Sequence, residues 1–109
     1  MVKKKGFSVR WAPKAKVILD DFCDQVEKTS GRVVAKRVRT KFVRIAGGLG
    51  YFPRKFPQEE LLAELEGEFR SVPVWSFKMI YQVADSQVTI LYLFHTRRHP
   101  TQLLKEIKG

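Results

Sequence analysis

The sequence predicts an α+β fold: an N-terminal strand, then an antiparallel helical hairpin packed on a small antiparallel sheet, in the order β-α-α-β-β-β, and a short C-terminal helix. Three observations carry that expectation. From Pro13 to Leu49 apolar side chains recur at three- and four-residue steps, the period of helices with one buried face. Residues 68–95 change to runs of β-branched and aromatic residues, which suit strands. Between the two blocks lies "GGLGYFPRKFP" (47–57), whose glycines and prolines cannot continue a helix. At 109 residues the chain is long enough for one modest core, so a single domain over residues 1–109 is expected.

"FSVRW" (7–11) alternates and reads as the first strand, and Pro13 suits the first turn of the helix after it. Ala15, Ile18, Leu19, Phe22 and Val26 form the expected buried stripe of that helix, with Asp20, Asp21, Asp24 and Glu27 on its outer face. Ser30-Gly31 supplies the stop. The second helix carries Val34, Val38, Phe42, Ile45 and Leu49 inward and Lys36, Arg37, Arg39, Lys41 and Arg44 outward. An acidic helix joined to a basic one by a short turn reads as a helical hairpin. "QEELLAEL" (58–65) suits a brief helical turn.

The strands follow as "EFRSVPV" (68–74), "WSFKMIYQVA" (75–84) and "QVTILYLFH" (87–95). Asp85-Ser86 fits a two-residue hairpin turn, though without the favoured glycine. That turn puts Ser76 opposite His95 and Lys78 opposite Leu93, so Lys78 and His95 are expected on one sheet face. Trp75, Phe77, Met79, Tyr81 and Val83 share the other face. The last strand is apolar on both faces, as a central strand should be. Pro100 can open a terminal helical turn whose Leu103, Leu104 and Ile107 pack back on the sheet.

The chain has 21 Lys and Arg against 11 Asp and Glu, a formal charge of +10. Such an excess favours a polyanionic partner, whether nucleic acid, a ribonucleoprotein or an acidic protein. Its one cysteine, Cys23, excludes an intrachain disulfide and suits a reducing cytoplasm; beside Phe22 it reads as a core filler. No apolar run approaches the roughly 18 residues that span a bilayer, and "MVKKKGFSVRW" lacks the apolar segment of a signal peptide. The glycine-rich stretch has neither the Lys-Ser/Thr pair nor the preceding strand of a phosphate-binding loop. His95 and His99 stand four apart, but the strand before them and Pro100 after them argue against a shared helix face. With no carboxylate nearby, neither a metal site nor a cofactor is expected.

The chemistry-bearing stretch is "FHTRRHP" (94–100), a proline-bounded group of cations at a strand end and a reasonable clamp for an anion. Lys78, flanked by Phe77 and Met79, is a charge inside a strand and needs a partner or a water path. Tyr81 and Trp75 read as packing residues. The basic stripe of the second helix reads as a solvated face without exposed aromatics for base stacking.

Three segments, "VRWAPKAKVILDDF", "FRSVPVWSFKMIYQV" and "VTILYLFHTRRHP", together with the helical hairpin, resemble the RelE/ParE toxins of type II toxin–antitoxin modules over about residues 7–104. The resemblance implies a small basic toxin held inactive by a cognate acidic antitoxin that wraps it. It leaves two targets open. ParE-like members poison DNA gyrase and are not themselves enzymes; RelE-like members cut messenger RNA on the ribosome. The ParE-like branch fits the long hairpin, "RSVPV" and "FHTRRHP" better. The target-binding residues expected from it are Arg70, Lys78, Arg97, Arg98 and His99.

A metal-free ribonuclease needs a base for the 2′-hydroxyl, an acid for the leaving oxygen and cations for the phosphorane. In that alternative His95, Lys78, Arg70 and Arg98 are the catalytic candidates, with Glu64, Glu66 or Glu68 as substitute bases. By the resemblance, Arg70 stands at a strand lysine of RelE, Lys78 at its strand arginine and Arg98 near its second arginine. Val72 replaces a second catalytic lysine, and no tyrosine follows Arg98, so the match to that branch is incomplete.

Overall fold

The structure, a computed structural model, describes residues 6–108; the basic start of the chain at 1–5 and residue 109 lie outside them. The elements are β1 (Ser8–Trp11), α1 (Pro13–Ser30), α2 (Arg32–Gly48), β2 (Glu68–Val74), β3 (Phe77–Ala84), β4 (Gln87–His95) and α3 (Thr101–Lys108). A single 3-10 turn over Glu60–Leu62 lies between α2 and β2. The expected element order is present, including the terminal helix.

Pro13 opens α1, where its missing N–H removes no helical bond. Gly31, at φ 92°, ends α1 and starts α2, because an L side chain rarely adopts that backbone. The buried stripes differ in detail from the expected ones. α1 buries Ala15, Leu19 and Cys23, with Ile18 and Phe22 packed at the core margin. α2 buries Ala35, Phe42 and Ala46, whereas Val34 stays exposed. Small residues let the two helices approach closely, so alanines take positions for which larger apolar side chains compete in a sequence pattern. Phe42 is fully buried and meets the rings of Phe22, Phe77 and Trp75 edge-on at 6.2, 5.8 and 5.6 Å.

The sheet order is β1-β4-β3-β2. β2, β3 and β4 form an antiparallel meander, but β1 pairs with β4 in parallel, so the sheet is mixed rather than wholly antiparallel. The helical hairpin carries the chain between the two edges, and β1 is left beside the last strand. Its arrival is guided by a close approach: Phe7 N–H donates to Gly50 O at 2.6 Å, and a Cβ on Gly50 would stand 2.6 Å from Phe7 O. One sheet face, with Val72, Val74, Phe77, Met79, Tyr81 and Ile90, packs under the helical hairpin. The opposite face, with Ile80, Tyr92 and Phe94, packs under Leu62 and Leu103.

Asp85 and Ser86, at φ 52° and 61°, make the tight turn between β3 and β4 with both residues left-handed. Trp75-Ser76 is the turn between β2 and β3 rather than the start of a strand, and Trp75 sits at φ 52°. A left-handed tryptophan is costly backbone for its type. Between Ile80 and Tyr81 the β3–β4 register slips: Tyr81 pairs with Ile90 but Ile80 pairs with Tyr92, leaving Leu91 as an extra residue. Beyond that bulge every pairing shifts by one.

Candidate functional site

The bulge decides where the expected site residues go. His95 pairs with Phe77 and Lys78 with Phe94, instead of Ser76 with His95 and Lys78 with Leu93. Side chains alternate between faces along a strand, so Lys78 and His95 lie on opposite faces of the sheet. The His95 ring rests edge-on against Phe77 at 5.0 Å, on the hairpin side, and its Nδ1 accepts from Arg97 N–H at 3.1 Å. Arg70 pairs with Tyr81 and so also faces the hairpin side, away from Lys78.

Lys78 enters a compact cluster on the α3 side. Its Nζ lies 2.6 Å from Glu59 Oε1, which also accepts from Ser71 Oγ at 2.8 Å, while Glu59 Oε2 accepts from Leu61 N–H at 3.0 Å. Glu59 is 6% exposed. Burial alone would raise its carboxyl; the hydrogen bonds from Lys78, Leu61 and Ser71 outweigh that and hold it below the ordinary range. The strand lysine therefore has its partner inside the protein, from a segment nineteen residues earlier in the chain.

Arg70 is similarly engaged. Its Nε donates to Glu68 Oε2 at 2.7 Å and an NH group to Phe56 O at 2.6 Å, while Arg54 donates to the other Glu68 oxygen at 2.9 Å. Burial works to raise the Glu68 carboxyl, but the hydrogen bonds from Arg70 and Arg54 keep it low. Next to them Tyr81 donates its hydroxyl to Pro53 O at 2.8 Å, and burial pushes that phenol up to about 12. Together Arg70 and Tyr81 strap the 53–57 loop onto the edge of the sheet.

Arg98 folds back toward α3. It donates to Tyr92 Oη at 2.7 Å and to Glu106 Oε2 at 3.0 Å, and its guanidinium lies over the Phe94 ring. The hydrogen bond from Arg98 in turn lowers the Glu106 carboxyl. His99 Nδ1 lies 2.9 Å from Thr101 Oγ1 and accepts from Thr101 N–H, closing the turn into α3. Of the five expected target-binding residues, Arg97 and His99 are exposed with no ion pair among the described residues. Arg70, Lys78 and Arg98 are not gathered along one border, and each already holds a carboxylate.

The densest run of unneutralised charge lies instead on α2, which contains no acidic residue. Arg39 pairs with Asp20 of α1 at 2.7 Å, the one ion pair of this helix among the described residues. Lys36, Arg37, Lys41 and Arg44 line an open trough of about 550 Å³ with Val33, Thr40 and Ile45. A second depression of about 240 Å³ continues it through Arg44 and Ile45 to Leu49, Phe52, Lys55 and Phe56. Aromatics do stand beside this stripe, contrary to the sequence reading: Phe52 is 65% exposed, and Trp75 is 56% exposed with Lys41 Nζ over its ring at 5.6 Å. The signal for this surface was in the sequence, as a seventeen-residue helix with six cations and no carboxylate, but it reads like any soluble helix until neighbouring acids are located.

Among the described residues no three His, Cys, Asp or Glu side chains gather as metal ligands, and no helix is long and apolar enough to cross a membrane. Cys23 is buried, and burial raises its thiol, which suits a packing role.

A four-stranded mixed sheet crossed on one face by a helical hairpin, with a short helix on the other and a strongly cationic surface, defines a small basic protein of the RelE/ParE class. The chain belongs to the family described as ParE toxin of type II toxin-antitoxin system, parDE, which matches residues 9–100. A solved structure titled "Chromosomal ParDE TA system from P. aeruginosa" has a similar fold, with a TM-score of 0.66 and 21% identity over 82% of this chain and 95% of that one. No curated protein sequence matches the chain.

Proposed function

We propose that this toxin arrests bacterial growth by poisoning DNA gyrase, and that an acidic antitoxin neutralises it in the cytoplasm. The observation that carries the reading is membership of the ParE toxin family over residues 9–100. The geometry supports a binding mode of action over RNA cleavage. A cleaving site needs a base, an acid and a charge stabiliser within reach of one phosphate. Here Lys78 and His95 face opposite sides of the sheet, and Lys78, Arg70 and Arg98 are held by Glu59, Glu68 and Glu106. A neutralising partner of acidic character follows from the +10 charge, and a segment that folds on binding can cover a broad face.

The test is a supercoiling reaction with purified gyrase and relaxed plasmid. The toxin is expected to block supercoiling or to leave cleaved plasmid, and the small acidic protein encoded beside it should restore the reaction. Undisturbed gyrase, together with cleavage of messenger RNA on ribosomes, would overturn this reading in favour of the ribonuclease.

A further inference from the structure

We propose that the outer face of α2 is a binding site for the phosphodiester backbone of duplex DNA. Residues four apart on a helix stand in rows. Lys36, Thr40 and Arg44 form one row, and Val33, Arg37, Lys41 and Ile45 form the next. The trough between these ridges is thus walled by Lys36 and Arg44 on one side and by Arg37 and Lys41 on the other. The Thr40 hydroxyl, a further donor to phosphate oxygens, lines the same trough. Lys55, beyond the C-terminal end of the helix, extends the cationic line, whereas Arg32 lies in a separate depression with Asp24 and Glu27 that Lys36 also borders.

Three features favour a nucleic-acid backbone over other polyanions. First, no carboxylate lines either depression, and none of Lys36, Arg37, Lys41 and Arg44 makes an ion pair among the described residues. Desolvating them against phosphate therefore breaks no existing pair. Second, the stripe from Lys36 to Arg44 runs about 12 Å at 1.5 Å per residue. A duplex presents one negative charge per roughly 1.7 Å of its axis, so several phosphates lie within that length. Third, an acidic helical peptide would need an unbroken apolar floor for anchors at i, i+3 or i+4, and i+7. Between Val33 and Ile45 the trough offers only Thr40 and the stems of the cations.

This goes beyond the gyrase reading. A face that grips duplex would give the toxin a hold on the DNA that gyrase carries. The binding itself, however, is tested without gyrase, so failure of either idea leaves the other standing.

The experiment is fluorescence anisotropy of a labelled duplex of about 20 base pairs with the full chain, titrated at salt concentrations from about 50 to 200 mM. Wild type is expected to bind with log K falling linearly against log salt, at a slope of about −3 or steeper. The variant Lys36→Gln/Arg37→Gln/Lys41→Gln/Arg44→Gln should lose at least about tenfold in affinity at the lowest salt and about three units of slope. Glutamine keeps helix propensity, and circular dichroism with urea unfolding checks that the variant is folded. A second variant, Arg10→Gln/Lys16→Gln/Lys28→Gln/Lys105→Gln, removes the same charge elsewhere on the surface and should keep most of the affinity. Equal losses in the two variants would overturn the site, leaving only the attraction of a cationic globule. Wild-type binding without salt dependence, or poly-glutamate displacing the duplex at equal charge concentration, would also overturn it, the latter reassigning the face to an acidic protein.

Discussion

The strand ends and the second helix carry the same kinds of side chain and use them in opposite ways. Around the sheet, Lys78, Arg70 and Arg98 each reach a carboxylate at 2.6–3.0 Å, from Glu59, Glu68 and Glu106. On α2, Lys36, Arg37, Lys41 and Arg44 reach none among the described residues. The first set tethers the 53–62 segment and α3 to the two faces of the sheet, so its charge is consumed inside the fold. The second set costs the fold little and projects four of the positive charges behind the chain's +10 excess. A cation's place in the sequence pattern does not say which set it joins; the position of the nearest acid does.

Removing a tether should do the most damage. Glu59→Ala takes the acceptor from Lys78, Ser71 and the Leu61 amide at once and leaves a lysine in a strand without its partner. Urea unfolding should record a loss of about 2–3 kcal/mol. A loss under about 0.5 kcal/mol would mean that Lys78 finds water as readily as it finds Glu59, and the contrast between the regions would collapse.

Acid should reach the same tethers. The Glu59 and Glu68 carboxyls titrate below the ordinary glutamate value of 4.5 in the folded chain. As pH falls, the unfolded state takes up these protons first. Their contribution is therefore full above about pH 5 and is lost as pH drops through the lower folded values. Urea midpoints measured from pH 6 to pH 3 should fall steeply below about 4.5, and Glu59→Gln should flatten that limb. A midpoint unchanged to pH 3 would contradict the assignment.

Smaller effects sharpen the contrast. Tyr81→Phe removes the bond to Pro53 O and should cost about 1 kcal/mol in urea unfolding. Changed singly to glutamine, Lys36, Arg37 and Arg44 should each shift stability by no more than about 0.5 kcal/mol, since surface substitutions away from partners rarely do more. Destabilisation by any one of them equal to that of Glu59→Ala would show that the helix cations are structural as well.

Much of this arrangement was legible in the sequence, and the failures have definite causes. The hairpin, the meander and the closing helix follow from period and turn chemistry, and Asp85-Ser86 makes its turn even without glycine. The β2–β3 turn was missed because Trp75 and Ser76 look like strand residues, and a left-handed tryptophan is not something composition announces. The parallel pairing of β1 leaves no mark in a four-residue strand. One extra residue, Leu91, turned an expected Lys78–His95 pair into residues on opposite faces, since a bulge exchanges the face of everything beyond it. The partners of Lys78 and Arg98 come from Glu59 and from α3, where no local periodicity points. That distance is why three of the expected target-binding cations are held in internal pairs while the solvated face of α2 keeps its charge.

The division between tethering and outward cations is tested most directly by the rates at which single lysines react with an acylating reagent in the native protein, read residue by residue by mass spectrometry. Lys36 and Lys41 are expected to react as fast as lysines in an unfolded peptide, and Lys78 roughly tenfold slower or more, because its ammonium is paired with a buried carboxylate. Lys78 reacting as fast as Lys36 and Lys41 would contradict the division.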